Sequence, residues 1–280
     1  MDTSSGRWHE GSTHLSSSAP TRSVPSAPSP TRVGSRQYST GRGAMSDRRR
    51  SHGMSEKSKY FTPEFFAFFS DLAKNNNKEW FTKNKERYEK AVQEPSLQFI
   101  RDAGQRLQKI SSFIVADAKP FGGSLSRIYR DIRFSPDKSP YKTEVGIHFW
   151  HAKAPGPEEM APGYYLHMSS GETMAHSGVW HPDAPVLKRI RDRIVDEPDA
   201  WKKVIRSRVA VEGDSLKRPP PGYDPNHPLI QDLRRKDFVS SRSFRDNQVT
   251  SPQFLASFTE VCESMEPLNR FLAGAIGLPW

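Results

Sequence analysis

The chain has 280 residues and a formal charge of +10, from 42 Lys and Arg against 32 Asp and Glu. Only 34 % of its residues are hydrophobic, too few for the whole length to offset its conformational entropy by burying a core. The longest apolar runs are about five residues, as in Phe65-Phe66-Ala67-Phe68-Phe69, far below the ~20 that span a bilayer, and the single Cys262 excludes an internal disulfide or a Cys-based zinc site.

The deficit is confined to residues 1–54, which hold 13 Ser, 8 Arg, no Lys and three acids, Asp2, Glu10 and Asp47. They carry +5 of the charge (8 − 3) and leave +5 to residues 55–280, a length suited to one domain. Their few apolar residues keep neither a helical nor a strand period, so a disordered Ser/Arg/Pro-rich tail is expected. Three roles fit such a tail. It is an idle or mis-called extension with Met45 or Met54 as the true start, an Arg/Ser-rich transit segment, or an arm that touches nucleic acid. Pro20, Pro25, Pro28 and Pro30 argue against the amphipathic helix of a transit segment, and Arg48-Arg49-Arg50 is thin support for the arm.

From Phe61 to Ala73 the chain predicts an amphipathic helix, with Thr62 as cap, Pro63 in the first turn, and Phe65, Phe68, Phe69 and Leu72 on one face. A second helix is expected from about Glu79 to Gln93, interrupted at Pro95, and a third to about Ile110. The period then falls from 3.6 to 2. Strands are predicted over Ser126–Phe134 and Tyr141–Trp150, joined by a turn-rich connection from Ser135 to Pro140. A Pro/Gly loop from Pro155 leads to strands at Tyr164–Met168 and around Met174–Trp180. Helices follow from Asp183-Ala184-Pro185, carrying Val186, Leu187, Ile190 and Ile194, and over Asp199–Arg206. Pro219-Pro220-Pro221-Gly222 is a stiff surface connector. A short helix near Leu229–Arg235, a strand near Phe238–Phe244 and a helix capped by Ser251-Pro252 end the chain. Helices, then strands, then helices indicate an α+β fold, a mainly antiparallel sheet flanked by helices.

One stretch concentrates charge: between Arg127 and Lys142 lie five cations and two acids. On a strand period Ile128, Arg130, Ile132 and Phe134 share the core face, and Arg127, Tyr129, Asp131 and Arg133 the other. A guanidinium on the core face needs a counter-charge, because a stranded buried charge costs several kcal/mol. Glu144, Glu64, Glu79 or a ligand anion could supply it. Lys138, Tyr141 and Lys142 return to the same end of the hairpin. Arg forks bind phosphate or carboxylate oxygens bidentately, Lys adds a point charge, and a Tyr hydroxyl donates or shuttles a proton.

The pattern Arg127-x-x-Arg130-Asp131-x-Arg133-Phe134-x-x-x-Asp137-Lys138-x-x-Tyr141 resembles the defining motif of domain of unknown function 2461, a family spread through bacteria and some fungi. The resemblance runs from about Tyr60 to Leu278. It takes in Asn75-Asn76 with Trp80-Phe81, Gly178-Val179-Trp180, Leu216-Lys217-Arg218-Pro219 with Pro221-Gly222-Tyr223, and Lys236-Asp237-Phe238. It implies that the folded part begins shortly before the first aromatic helix, and it implies no activity.

Other signals are weaker. His148, His167, His176 and His181 fall on or beside successive predicted strands, and His148 and His167 are placed to face each other across a hairpin. Two of them with Asp131 or Glu144 would resemble a mononuclear metal site, but no tight metal spacing supports it, and neither metal nor cofactor is expected. There is no nucleophile elbow and no glycine-rich phosphate loop. The basic runs Lys188–Arg193 and Arg234–Lys236 read as solvated helix faces. The expectation is a cytoplasmic domain that binds a small anionic group through Arg127, Arg130, Arg133, Lys138 and Lys142. Were it a hydrolase or transferase, Asp131 or Asp137 would exchange protons and Tyr141 donate one. A nucleic-acid-binding module using the same patch, or a scaffold in which the ion pairs are only structural, are the alternatives.

Overall fold

The computed structural model describes residues 58–154, 161–207 and 209–280; the expectations for residues 1–54 and most of the Pro155 loop lie outside them. Thr62 and Pro63 open α1 (Pro63–Lys74), whose Phe65, Phe68, Phe69 and Leu72 are buried as their spacing predicts. Asn77 caps α2 (Lys78–Lys83) by accepting from the Trp80 N–H at 2.9 Å. The expected helix over Glu79–Gln93 instead breaks at Asn84 and restarts as α3 (Lys85–Tyr88). Pro95 does not interrupt. A π turn over Glu89–Gln93 runs directly into α4 (Glu94–Ile110), with Pro95 in its first turn. The wider π turn accommodates a residue that cannot donate to the preceding turn and would clash with its carbonyl.

Five strands follow: β1 (Ile114–Val115), β2 (Val145–His151), β3 (Gly163–Ser169), β4 (Glu172–Val179) and β5 (Phe238–Phe244). They lie in chain order, every neighbouring pair antiparallel. Between β4 and β5 the chain leaves the sheet through α5 (Ala184–Asp196), α6 (Pro198–Arg206) and α7 (Ile230–Leu233); after β5 come α8 (Asp246–Val249) and α9 (Phe254–Ala275). Val145, Ile147, Phe149, Tyr164, Leu166, Met168 and Ala175 point to one face and join α1, α4 and the first half of α9 in one core cluster. A second cluster unites Val179, Phe238, Ile190, Ile194, Trp201 and Val204 with Leu268, Phe271 and Leu272 of the second half of α9. Pro267 lies where α9 passes from one cluster to the other. The architecture is α+β with an antiparallel sheet, as expected.

The predicted strand Ser126–Phe134 is not one. Backbone bonds pair Ser124 with His148 and Ser126 with Gly146, and further along Ile128 with Lys142 and Arg130 with Pro140. Two residues advance on one side while four advance on the other, so the ladder bulges, only isolated bridges survive, and strand alternation is lost. The inferred core face therefore fails beyond Ile128: Ile128 is buried, but Phe134 is 93 % exposed. The second predicted strand begins at Val145, four residues later than expected, because Tyr141–Glu144 form the bulged side.

Candidate anion site at the charged motif

The motif is held from below by Asn76 and Phe81. The Asn76 side-chain amide donates to the Tyr141 carbonyl at 2.9 Å and accepts from the Tyr141 N–H at 3.1 Å. The Tyr141 ring stacks on Phe81 with centroids 4.1 Å apart, so this residue, read as a proton donor, packs as a buried ring whose hydroxyl pKa is raised first by burial.

The loop above is laced by ion pairs. Arg130, half-buried, pairs with Asp137 and reaches the Ser135 hydroxyl, so its counter-charge comes from within the motif and not from Glu144, Glu64 or Glu79. Glu64 instead accepts from Arg87 at 2.6 Å. Asp137 also accepts from the Ser139 hydroxyl at 2.6 Å and the Ser139 N–H at 2.8 Å, and these bonds, with Arg130, hold its carboxyl well below the usual range. Arg133 forks onto Asp131 at 2.6 and 3.0 Å and pulls that carboxyl down to about 2. Lys138 donates to the Ile132 carbonyl at 2.8 Å. Asp131 and Asp137 thus stay ionised near neutral pH and close the loop upon itself; neither holds a proton to give.

Two cations differ. Lys142 is half-buried, and neither it nor Arg127 has a carboxylate within ion-pair distance among the described residues. Burial lowers the Lys142 pKa; Glu144 opposes that at longer range, while Arg127 and Arg130 add to it. Like charges are therefore gathered here beyond what the acids cancel.

Beyond Lys142 the chain runs into the sheet face turned away from the core, on which Tyr165 is buried. Strand alternation and register put His148 of β2, Tyr165 and His167 of β3, and Met174 and His176 of β4 on it. His148 stands opposite Tyr165, and His167 opposite Gly146, so the two histidines are diagonal neighbours and not directly opposed as expected. His167 Nε2 is 3.8 Å from Glu144. His176 bonds the Ser241 hydroxyl at 3.0 Å, and burial together with His167 pushes its pKa down to about 4. Among the described residues no three His, Cys, Asp or Glu side chains are grouped to hold a metal ion.

The other basic runs are mostly spent within the fold. Lys188 pairs with Asp192 and Arg193 with Glu197, while Arg191, read as solvated, is buried and donates to the Arg235 carbonyl at 2.8 Å. Arg234 donates to the Leu216 and Lys217 carbonyls. No described helix is long and apolar enough to cross a membrane.

A family model described as a conserved hypothetical protein (DUF2461) matches residues 64–271, from α1 into α9, with the whole motif inside the match. The chain belongs to this family. No curated protein and no solved structure matches it. The family description carries no activity. The sequence marks Asn76 and Asp237 only as parts of the family resemblance and assigns neither a role: Asn76 holds the Tyr141 backbone, and Asp237 reaches His181 from 56 residues away.

Proposed function

We propose that the chain binds a small anionic group, a phosphate or carboxylate, at the charged motif beside the sheet face turned away from the core, with Arg127 and Lys142 as its counter-charges. The observation that carries this reading is Lys142, a half-buried ammonium gathered with Arg127 and Arg130 and with no ion-paired acid among the described residues. A desolvated like-charge pair is unfavourable alone and becomes favourable once a bidentate anion lies between the two groups. Arg130, Arg133, Lys138, Asp131 and Asp137 shape the loop, and His148, Tyr165 and His167 line the ground beyond it. A hydrolytic or transfer step there would draw its proton carriers from His167 and Glu144.

A second reading rests on the aromatics of the same loop. Phe134 is 93 % and Tyr129 49 % exposed, and the Arg133 guanidinium lies 5.9 Å from the Phe134 ring, rings on which bases of a single strand could stack.

One thermal-shift series separates the readings. The full chain is expected to melt higher with phosphate, a sugar phosphate or a dicarboxylate, and Arg127→Gln or Lys142→Met to abolish the rise. Because Lys142 is a desolvated charge, Lys142→Met should itself melt no lower than the parent. A rise only with a single-stranded oligonucleotide, lost at high salt and in Phe134→Ala, favours the second reading. No shift with any ligand overturns both.

A further inference from the structure

β4 ends at Gly178-Val179, just before Trp180, and β5 begins after Lys236-Asp237, and these two segments meet around one carboxylate. Asp237 is buried, its side chain 2 % exposed. Its Oδ1 accepts from the His181 N–H at 2.8 Å and from His181 Nδ1 at 2.7 Å, and its Oδ2 accepts from the Asp214 N–H at 2.9 Å. The imidazole it holds is 59 % exposed. A carboxylate accepts, so Nδ1–H donates, and Nε2 lies on the far side of the ring. The Trp180 ring, 4.1 Å away, restrains the imidazole further.

The backbone is spent to keep this arrangement. His181 has φ +48°, the left-handed region that a side chain seldom adopts, and it is the sole described non-glycine residue there. Gly213 has φ +114° and comes so close that a Cβ on it would lie 2.3 Å from the Asp237 Cβ. A strained histidine, a buried acid and a glycine that admits the acid converge to orient one exposed nitrogen. A merely structural bond would not require the ring to project into solvent.

We propose that His181 and Asp237 form a second reactive centre, remote in sequence from the motif, in which His181 is a nucleophile toward uncharged acyl compounds and Asp237 is its positioning residue. The surrounding charge selects the class. Lys236 pairs with Asp214 at 3.6 Å and Arg235 with Asp232 at 3.2 Å, and Arg191 reaches the Arg235 carbonyl, so the charges around the imidazole largely cancel and no cation among the described residues there is left over to hold a phosphate or carboxylate. The step is redox-neutral. Nε2 adds to the ester carbonyl carbon, the carbon–oxygen bond to the alcohol breaks, and the alcohol leaves with a proton from water. The acyl-imidazolium keeps its Nδ1–H on Asp237 until water cleaves it to the acid, returning one proton to solvent and the lone pair to Nε2.

p-Nitrophenyl acetate, an uncharged ester, tests this on the full chain, with p-nitrophenolate release as the readout and mass spectrometry of acid-quenched protein locating any acetyl group. His181→Gln is expected to lower the rate at least about tenfold, and Asp237→Asn, which removes the acceptor that sets the tautomer, to lower it comparably. His227→Gln serves as a control and keeps the parent rate. A parent rate in His181→Gln, or an equal loss in His227→Gln, overturns the proposal. A parent rate in folded Asp237→Asn overturns the role of Asp237. Should Asp237→Asn fail to fold, the imidazole ¹⁵N shifts of the parent protein decide: a protonated Nδ1 supports the dyad and a protonated Nε2 overturns it.

Discussion

Asn76 answers both backbone polar groups of Tyr141, a residue flanked in the bulged ladder by bonds from Arg130 to Pro140 and from Lys142 to Ile128. Alanine at this position leaves a donor and an acceptor without their partner beneath the motif. Asn76→Ala is therefore expected to lower stability by about 2 kcal/mol, read from the urea midpoint, and to weaken the ligand-induced thermal shift with it. The same residue shows why the site was only partly legible in sequence. The density of Arg and Lys between Arg127 and Lys142 marks the motif without any structure. Which cations are cancelled depends on short loop contacts, Arg130 with Asp137 and Arg133 with Asp131, that a strand period cannot anticipate.

Helix α9 is fastened to the sheet by one buried side chain. Asn269 donates to the Gly163 carbonyl at 3.0 Å and accepts from the Ser177 hydroxyl at 2.9 Å, linking it to β3 and β4. Asn269→Ala would strand both groups where water does not reach, and a loss of about 2–4 kcal/mol in chemical denaturation is expected. Most elements declare themselves by their own pattern. α1 follows its Phe spacing, β3 and β5 fall within a residue or so of expectation, and Asp183 caps α5 by accepting from the Val186 N–H at 2.8 Å. The failures share a cause. Ser126–Phe134 alternates like a strand but meets a partner with two extra residues, and Pro95 reads as a stop but follows a π turn, so in both the deciding residue lies outside the segment being read.

For the molecule as a whole, His176 sets an acid limit. Its folded pKa of about 4 lies below the ordinary 6.5, mainly through burial, so between these values the unfolded chain binds a proton that the folded chain does not. Stability is then complete above pH 6.5 and falls as pH drops toward 4, by roughly 3 kcal/mol from this group alone. His176→Gln is expected to flatten that part of the stability–pH curve measured by urea titration, with other acid-sensitive groups left to act below it. The two core clusters would be separable if each had its own helices, but α9 supplies Phe254, Phe258 and Met265 to one and Leu268, Phe271 and Leu272 to the other. Fraying of either cluster must therefore tear a continuous rod in two, and Pro267, which has no amide hydrogen to give, is where that rod is weakest. The consequence is a protein whose halves melt in one concerted event, with the proline as the seam along which a partial opening would begin.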